Sequence, residues 1–326
     1  MSGALQAVYR NLRSFGAMIV QVRAIFWGGT ASGAAIGNLI STTGVIASDT
    51  TTVGSNKSAG SGAGYGGDKG IFGYGTYAST GLYASTTNLV SNTGVVAADI
   101  SQAGWYGYGV QNPCAANYGT DKAFFQGGSQ GYTTNMLILV TNTGVVGSQN
   151  SAGGTLFGHA ATGYGIDTAI TLFGGWETTD GCPPYTIFTR VRETWKVSNT
   201  GVFTYVDATA ALPKSYAAAA RYGADKAISV CGESNSGQYL STRNLISNTG
   251  VVAADTATLA TGKTYTTGVK FGADRAIIAF GGTAVSGSAG IKNYNLISNT
   301  GTVASDSVAA AGVSIRPYTP SATQFG

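Results

Sequence analysis

The chain is poor in charged residues, proline, cysteine and histidine. Only 10% of its 326 residues are charged, and it contains 6 prolines, 3 cysteines and 1 histidine. The net charge of +4, without any Lys/Arg run, gives nucleic-acid binding little electrostatic support. No apolar stretch has the ~18 residues that a membrane-spanning helix needs, and no Sec signal peptide is expected.

The few cysteines and the single histidine also limit the possible chemistry. Cys114, Cys182 and Cys231 are odd in number and lack metal-ligand spacing, which predicts free, mostly buried thiols. A Ser-His-Asp triad needs its histidine as the base, and His159 is the only candidate. We expect a surface or packing role for it, and we expect no cofactor and no metal. Metal ligation by a ring of repeated aspartates is the alternative.

Glycine and apolar residues are abundant instead. The sequence has 50 glycines, 43% hydrophobic residues and 10% aromatic residues, which is too apolar for a disordered chain. Short apolar strands joined by glycine-rich turns fit this composition. The sequence therefore predicts an all-β protein after a short N-terminal segment.

One phrase recurs six times at intervals of about 50 residues. Its best copies read NLISNTGVVAAD (244–255) and NLVSNTGVVAAD (88–99). A second phrase precedes it, as in YGADKAISVCG (222–232), and its apolar run ends at a glycine in every unit. These strand-ending glycines are Gly29, Gly75, Gly128, Gly174, Gly232 and Gly281.

Each unit is interpreted as four antiparallel strands, A to D. Strand A ends at the YGxD turn, strand B is the apolar run, strand C is NLIS, and SNTG turns the chain into strand D, VVAAD. Six such units predict a six-bladed β-propeller over residues 16–326. The C-terminal segment 316–326 resembles a strand A, so we expect it to complete blade one and close the ring. An open solenoid is the alternative.

Most acidic residues fall on repeated positions, which argues for structural roles. Ten of the fourteen lie at the A–B turn or near the end of strand D, where we expect turn caps and blade-to-blade pairs with Lys69, Lys122, Lys226 and Arg275. The A–B and strand-D acids are Asp68, Asp121, Asp167, Asp225, Asp274, Asp49, Asp99, Asp207, Asp255 and Asp306. Glu177, Asp180, Glu193 and Glu233 remain for a paired-carboxylate glycosidase, which the spacing does not require.

The variable connections predict a binding face. The A–B and C–D turns have nearly the same length and sequence in every unit, whereas the B–C and D–A connections vary. In a propeller these two sets of connections emerge on opposite faces, so the variation is concentrated on one face. Aromatic and arginine side chains are enriched there, as they are at binding hot spots. They bind a partner or ligand, or they pack against the propeller's own loops. The candidates are Trp105, Tyr106, Tyr108, Trp176, Tyr185, Phe188, Arg190 and Arg192.

Residues 1–15 form a separate N-terminal arm. Leu5, Val8, Tyr9 and Leu12 recur at helical spacing and make one apolar stripe on a short helix. A helix of about ten residues is marginal in water, so it needs a surface to lie on. That surface is its own propeller or a neighbouring protein.

The blade plan resembles the kelch repeat family over nearly the whole chain. It shares the apolar strand that ends in Gly-Gly, as at Gly127-Gly128, and the later aromatic-polar strand with its turn, Tyr294 to Gly301. It lacks the tryptophan usual in strand D, and Gly-Gly is incomplete in blades two and five. Some kelch-type propellers are copper oxidases, but their site requires two histidines.

The phrases YGGDK and NLISNTGVVASD-like repeats more closely resemble kelch-like structural proteins of tailed bacteriophages. That resemblance implies a non-enzymatic virion protein of a tail appendage (such as a tail fibre), tail tip or head decoration. The same resemblance implies contacts with other virion proteins through its arm, and with a host-surface glycan or protein through the variable face. A carbohydrate-active propeller enzyme is the alternative, and a cellular kelch adaptor is a third possibility.

Overall fold

The computed structural model describes residues 22–30, 33–102, 109–151, 153–180, 185–283, 290–316 and 319–326, with the backbone alone for 177–180 and 185–187. These residues form thirty β-strands and no helix. The predicted N-terminal helix and its residues Leu5, Val8, Tyr9 and Leu12 lie outside the described residues.

Six four-stranded antiparallel sheets are the blades of a six-bladed β-propeller. Blade one contains β1 (Arg23–Trp27), β2 (Ile36–Ile40), β3 (Thr50–Thr51) and β30 (Ser321–Phe325). Blade two contains β5 (Ser61–Tyr65), β6 (Lys69–Gly73), β8 (Thr86–Val90) and β9 (Ile100–Ser101). Blade three contains β10 (Cys114–Tyr118), β11 (Lys122–Gln126), β12 (Met136–Val140) and β13 (Asn150–Ser151).

The other three blades repeat this plan. Blade four contains β14 (Ala160–Tyr164), β15 (Thr168–Leu172), β18 (Glu193–Val197) and β19 (Phe203–Asp207). Blade five contains β20 (Ala218–Tyr222), β21 (Lys226–Val230), β22 (Thr242–Ile246) and β23 (Thr256–Ala257). Blade six contains β25 (Thr267–Phe271), β26 (Arg275–Ala279), β28 (Asn293–Ile297) and β29 (Ser307–Val308). Three two-stranded ribbons lie in the connections: β4 (Lys57–Ser58) with β7 (Thr76–Tyr77), β16 (Gly175–Asp180) with β17 (Tyr185–Arg190), and β24 (Lys263–Thr264) with β27 (Gly282–Thr283).

Strand β30 joins the two ends of the chain in one sheet. It pairs antiparallel with β1, with Ile25 opposite Thr323, and it contacts the innermost strands β5 and β25 of the neighbouring blades. Phe325 is 2% exposed and packs in one cluster with Trp27 and Phe72. The predicted strand A at the C-terminus is therefore present; that this pairing seals the ring in solution stays a prediction.

In five of the six units, the glycine that ends strand B donates a hydrogen bond to the next blade. The Gly75 N–H bonds the Val110 carbonyl at 2.7 Å. Gly75 has φ of +97°, and a Cβ there would lie 2.3 Å from the Ser58 carbonyl oxygen. Only glycine fits both demands. The same bond joins Gly29 to Lys57, Gly128 to Leu156, Gly174 to Lys214 and Gly232 to Lys263.

Strand D is shorter than the sequence predicts. In blade two the VVAAD segment contributes one bridge, Val90 with Val96, before the two-residue β9. The Asn88 amide lies between the two strands and donates to the Ala97 carbonyl at 3.0 Å, in place of a main-chain donor. Blade four has Trp195 at this position, and its β19 pairs over its full length. Blade three also has a short strand D, although Ile138 stands there in place of the asparagine. The asparagine amide is therefore not the only cause of the short strand.

Three of the five strand-D acids form ion pairs with buried lysines that the sequence interpretation missed. Lys57, 2% exposed, lies 3.2 Å from Asp99 and donates to Asn88 Oδ1 at 2.8 Å and Thr86 Oγ1 at 2.7 Å. Equivalent triads are Lys214–Asn244–Asp255 and Lys263–Asn295–Asp306. In blade one, Arg316 donates to Asn38 and is attracted by the charge of Asp49 without forming an ion pair with it, because the Asp49 carboxylate accepts from Asn38 and Ser314. The ion pairs among the described residues include none of Lys69, Lys122, Lys226 and Arg275, so the predicted blade-to-blade pairs with these residues are not formed.

Blades three and four lack the triad as a unit. Val110 and Leu156 occupy the cation position, and Ile138 and Trp195 occupy the asparagine position. Val110 and Ile138 pack in one apolar cluster. At the A–B turns, in contrast, the aspartates accept hydrogen bonds from C–D turn asparagines: Asp68 from Asn92, Asp121 from Asn142, Asp167 from Asn199 and Asp225 from Asn248.

Removing one charge from a triad is expected to be costly. Asp99→Asn leaves the Lys57 ammonium buried without a counter-charge, which lowers the free energy of unfolding by about 3–5 kcal/mol. The triple variant Lys57→Val, Asn88→Ile, Asp99→Gln installs the residues of blade three and should stay within about 1 kcal/mol of wild type. Urea unfolding measures both.

The matched control is Asp207→Asn, because Asp207 pairs with Arg192 and both side chains are exposed, 35% and 45%. A surface pair contributes at most about 1 kcal/mol. If Asp99→Asn and Asp207→Asn cost the same, the buried charge of Lys57 is not held by Asp99.

Candidate functional site

The variable B–C and D–A connections meet on one face, as the sequence predicts. Phe157, in the connection before blade four, lies 4.7 Å from Phe188 in the B–C connection of that blade, measured between ring centroids. Arg190 of the same connection lies 2.5 Å from Glu233, in the B–C connection of blade five. The A–B and C–D turns contact each other through the Asp–Asn bonds described above. The propeller therefore has one variable and one constant face.

The longest B–C connection is a hairpin rather than a loop. Strands β16 and β17 pair over six residues, with Trp176 opposite Thr189. β-Branched residues such as Thr178, Thr179 and Ile187 favour extended backbone on both sides of the turn.

Four rings form an aromatic row from this hairpin toward the propeller axis: Phe157, Phe188, Tyr216 and Tyr265. Phe188 is stacked with Tyr216 at 6.3 Å, and Tyr216 lies 4.2 Å from Tyr265. Burial raises the pKa of both tyrosines, and neighbouring Glu233 adds to this. Tyr216 and Tyr265 line a cavity of about 100 Å³ at the mouth of the axial channel, together with Ser61, Asn112 and Thr319.

Arg190 fastens the hairpin to blade five. Its guanidinium donates to Glu233 Oε1 at 2.5 Å and to Ser215 Oγ at 3.0 Å, and it lies 4.8 Å from the Phe188 ring centroid. Its main-chain N–H donates to Asn235 Oδ1 at 2.7 Å, and the Asn235 amide returns a bond to the Arg190 carbonyl. These bonds fix the position of the hairpin on the variable face.

The predicted site residues fall into three groups. Phe188 and Arg190 are half-buried and engaged in the contacts just described, and Trp176 is half-buried in the hairpin. Arg192 is more exposed and pairs with Asp207 at 3.0 Å. Of Tyr185 only the backbone is described, and Trp105, Tyr106 and Tyr108 lie outside the described residues.

The sequence interpretation missed Tyr216 and Tyr265, and it considered Glu233 only as an acid of the glycosidase alternative. A signal for the two tyrosines exists, because Lys214-x-Tyr216 and Lys263-x-Tyr265 stand at the same distance before their A–B turns. The lysine of each pair enters a buried triad, and the tyrosine two residues later reaches the channel mouth with φ of +53° or +55°.

His159 and the free cysteines are buried. His159 is 6% exposed, and burial lowers the pKa of its imidazole to about 3. Neither of its ring nitrogens has a hydrogen-bond partner among the described residues. The predicted packing role is thus confirmed by its position. Cys114 and Cys231 are buried free thiols, whereas Cys182 lies outside the described part of the chain.

No protein-family model and no curated protein matches the chain. Within the described ranges, no three His, Cys, Asp or Glu side chains lie close enough together to hold a metal ion. Among the same residues, no helix is long and apolar enough to cross a membrane. The side chains of Glu177 and Asp180 are outside the description, so the paired-carboxylate alternative stays open.

Loss of the Arg190 ion pair should loosen the hairpin selectively. Arg190→Met removes a charge-assisted bond worth about 1.5–3 kcal/mol, so amide hydrogen exchange of residues 175–190 should accelerate about tenfold or more. Hydrogen-exchange mass spectrometry measures this, and peptides of blade one serve as the internal reference. Arg192→Met, which removes an exposed pair, is the control and should change exchange little. Equal exchange in the two variants would contradict the anchoring role of Arg190.

Proposed function

We propose that this protein is a non-enzymatic propeller module of a tailed-phage particle. It belongs to a tail appendage, tail tip or head decoration, and it attaches through its variable face to another virion protein or to a host-surface ligand. Its N-terminal arm, residues 1–15, docks it to the particle. The phage context comes from the resemblance of the repeated phrases to kelch-like phage structural proteins.

The observation that carries the proposal is the asymmetry of the two faces. The constant face repeats the same Asp–Asn bonds in four blades. The variable face has an aromatic row, a fixed hairpin and the partly exposed Arg192 concentrated around blades four to six. Aromatic and arginine side chains on a rigid support are what protein and glycan attachment require.

The positions of the acids support a binding role over catalysis. Asp99, Asp255 and Asp306 neutralise buried lysines, and Glu233 is bound to Arg190. A carboxylate in such a pair has a structural role and is a poor general acid. Glu193 is the exception, because burial raises the pKa of its carboxyl group as a general acid would require, and the Glu193→Gln variant below tests it.

The test begins with the particle. Mass spectrometry of purified virions should detect the full chain at a fixed copy number, and deletion of residues 1–15 should lower its incorporation at least about tenfold. Deletion removes the apolar stripe that is expected to dock. Absence of the chain from virions would contradict the proposal, and unchanged incorporation would contradict the docking arm alone.

Attachment is tested with the purified full chain labelled by a fluorophore and incubated with intact host cells. The double variant Trp176→Ala, Arg192→Ala should bind at least about tenfold more weakly. The control Lys226→Ala, Val251→Ala changes exposed residues of the constant face and should bind normally. Release of reducing ends from host polysaccharide, abolished by Glu177→Gln or Glu193→Gln, would establish the enzyme alternative.

A further inference from the structure

The outer edge of blade four differs from the outer edges of the other blades. Its outermost strand, β19, has five residues that all pair with β18, whereas the other blades end in strands of two residues. The sequence Phe-Thr-Tyr-Val at the start of β19 favours a strand. Tyr205 also makes a T-shaped cross-strand contact with Trp195 of β18, at 5.3 Å between ring centroids. Blade four therefore ends in a regular strand at the circumference of the propeller.

The C–D turn before β19 determines which main-chain groups of the strand point outward. The Ser198 N–H donates to the Val202 carbonyl at 2.9 Å, so these two opposite residues form a hydrogen-bonded pair. Opposite residues of an antiparallel ladder alternate between hydrogen-bonded and non-hydrogen-bonded pairs, so Thr204 and Val206 are the residues of β19 that bond to β18. The N–H and C=O groups of the alternate residues point away from the blade. These residues are Phe203, Tyr205 and Asp207.

This outward row of main-chain groups is exposed and unprotected. Among the described residues, no strand pairs with the outer side of β19. Tyr205 is 50% exposed, and Val202, just before the strand, is 60% exposed. Proteins usually protect such an edge with a short strand, a bulge, a proline or a lysine. The other blades have short strands, but β19 pairs in an unbroken register and contains neither proline nor lysine. Its edge can therefore accept a further strand.

The edge is complementary to itself. The outward donors and acceptors are symmetric about Tyr205, so a second β19 can lie antiparallel with Tyr205 opposite Tyr205 of the second copy. All outward N–H and C=O groups of both strands then meet in hydrogen-bonded pairs. A two-fold axis passes between the two Tyr205 residues, as in an isologous interface. In the same register Thr204 lies opposite Val206, a favourable contact of β-branched residues, and Asp207 lies opposite Phe203 rather than another acid.

The charges of the edge favour a second copy over a charged peptide as the added strand. Asp207 is the one charged residue of β19, and Arg192 neutralises it at 3.0 Å. The strand therefore presents no unpaired charge that a basic or acidic peptide could recognise. Repulsion between two copies is also small, because the net charge is +4 over 326 residues.

We infer that two copies of this chain associate through β19, in an antiparallel pairing centred on Tyr205 that joins the two fourth blades into one continuous sheet. The contact is limited to one strand edge and its flanking side chains, so the association is weak and depends on concentration. This interface is independent of the attachment function, because β19 lies at the circumference rather than on the variable face.

Analytical ultracentrifugation of the purified full chain tests the interface. With rising concentration, the average mass of wild type should increase from that of one chain toward that of two. Tyr205→Lys and Tyr205→Glu should each weaken association at least about tenfold, because like charges then meet at the two-fold axis. An equal mixture of the two variants should associate again, because opposite charges meet there. The control Val251→Lys adds a charge at an equally exposed turn position of blade five and should associate like wild type.

A second measurement does not depend on any variant. Amide hydrogen exchange of wild-type residues 203–207 should slow as the concentration rises, because their outward N–H groups gain acceptors, whereas exchange of residues 252–256 in blade five should not change.

The inference is overturned if wild type is monomeric at every concentration, which would leave the edge to a strand of another protein. It is also overturned if exchange of residues 203–207 is independent of concentration, or if Tyr205→Lys associates like wild type. A mixture of the two Tyr205 variants that stays monomeric, although circular dichroism shows both to be folded, would overturn the two-fold pairing at Tyr205.

Discussion

Main-chain hydrogen bonds donated by glycine join each blade to the next, and the remaining structure is arranged around them. Near the variable face they come from the glycine that ends strand B, such as Gly75. Near the constant face a second set comes from the A–B turns, as from Gly66 to the Asp121 carbonyl at 2.7 Å. In this second set the last bond runs from Gly272 in blade six to Val22 in blade one. Positive φ and close backbone approach require glycine at these positions, which explains why the phrases repeat so closely.

The fixed junctions leave other positions free to vary. The space beside strand C is filled by a buried cation with Asn and Asp in four blades, and by apolar residues such as Val110 and Ile138 in blade three. A complete apolar set or a complete ionic triad is stable, whereas a mixture would leave a charge unpaired. Because the junctions between blades are fixed by the glycine bonds, the B–C connection of blade four can also be extended into a long hairpin. The connections on the variable face can thus differ from blade to blade because the glycine junctions between blades stay the same.

The sequence was sufficient for the architecture because its determinants are local. The turn phrase SNTG and the glycine after strand B each specify backbone conformation within a few residues, and the period counts the blades. The short strand D was not predicted, because VVAAD has ordinary strand propensity and the interruption of the ladder after the C–D turn is seen only in the folded sheet, both with an asparagine beside it (Asn88) and with an apolar residue there (Ile138). The triads were missed because Lys57 and Asp99 are far apart in sequence and meet only after the sheet has formed.

The site was harder to predict than the fold. Phe188 and Arg190 were recognised by residue type, but their partners Tyr216 and Glu233 come from a different blade. Tyr216 and Tyr265 stack only because blades five and six lie side by side. No local sequence pattern predicts these contacts between residues of different blades.

An experimental density map of the full chain tests the central claim most directly. The account predicts six blades around one axis, with Ser321–Phe325 as the innermost strand of the first blade and Thr323 opposite Ile25. An open stack of sheets, a different number of blades, or a C-terminal strand paired elsewhere would contradict it.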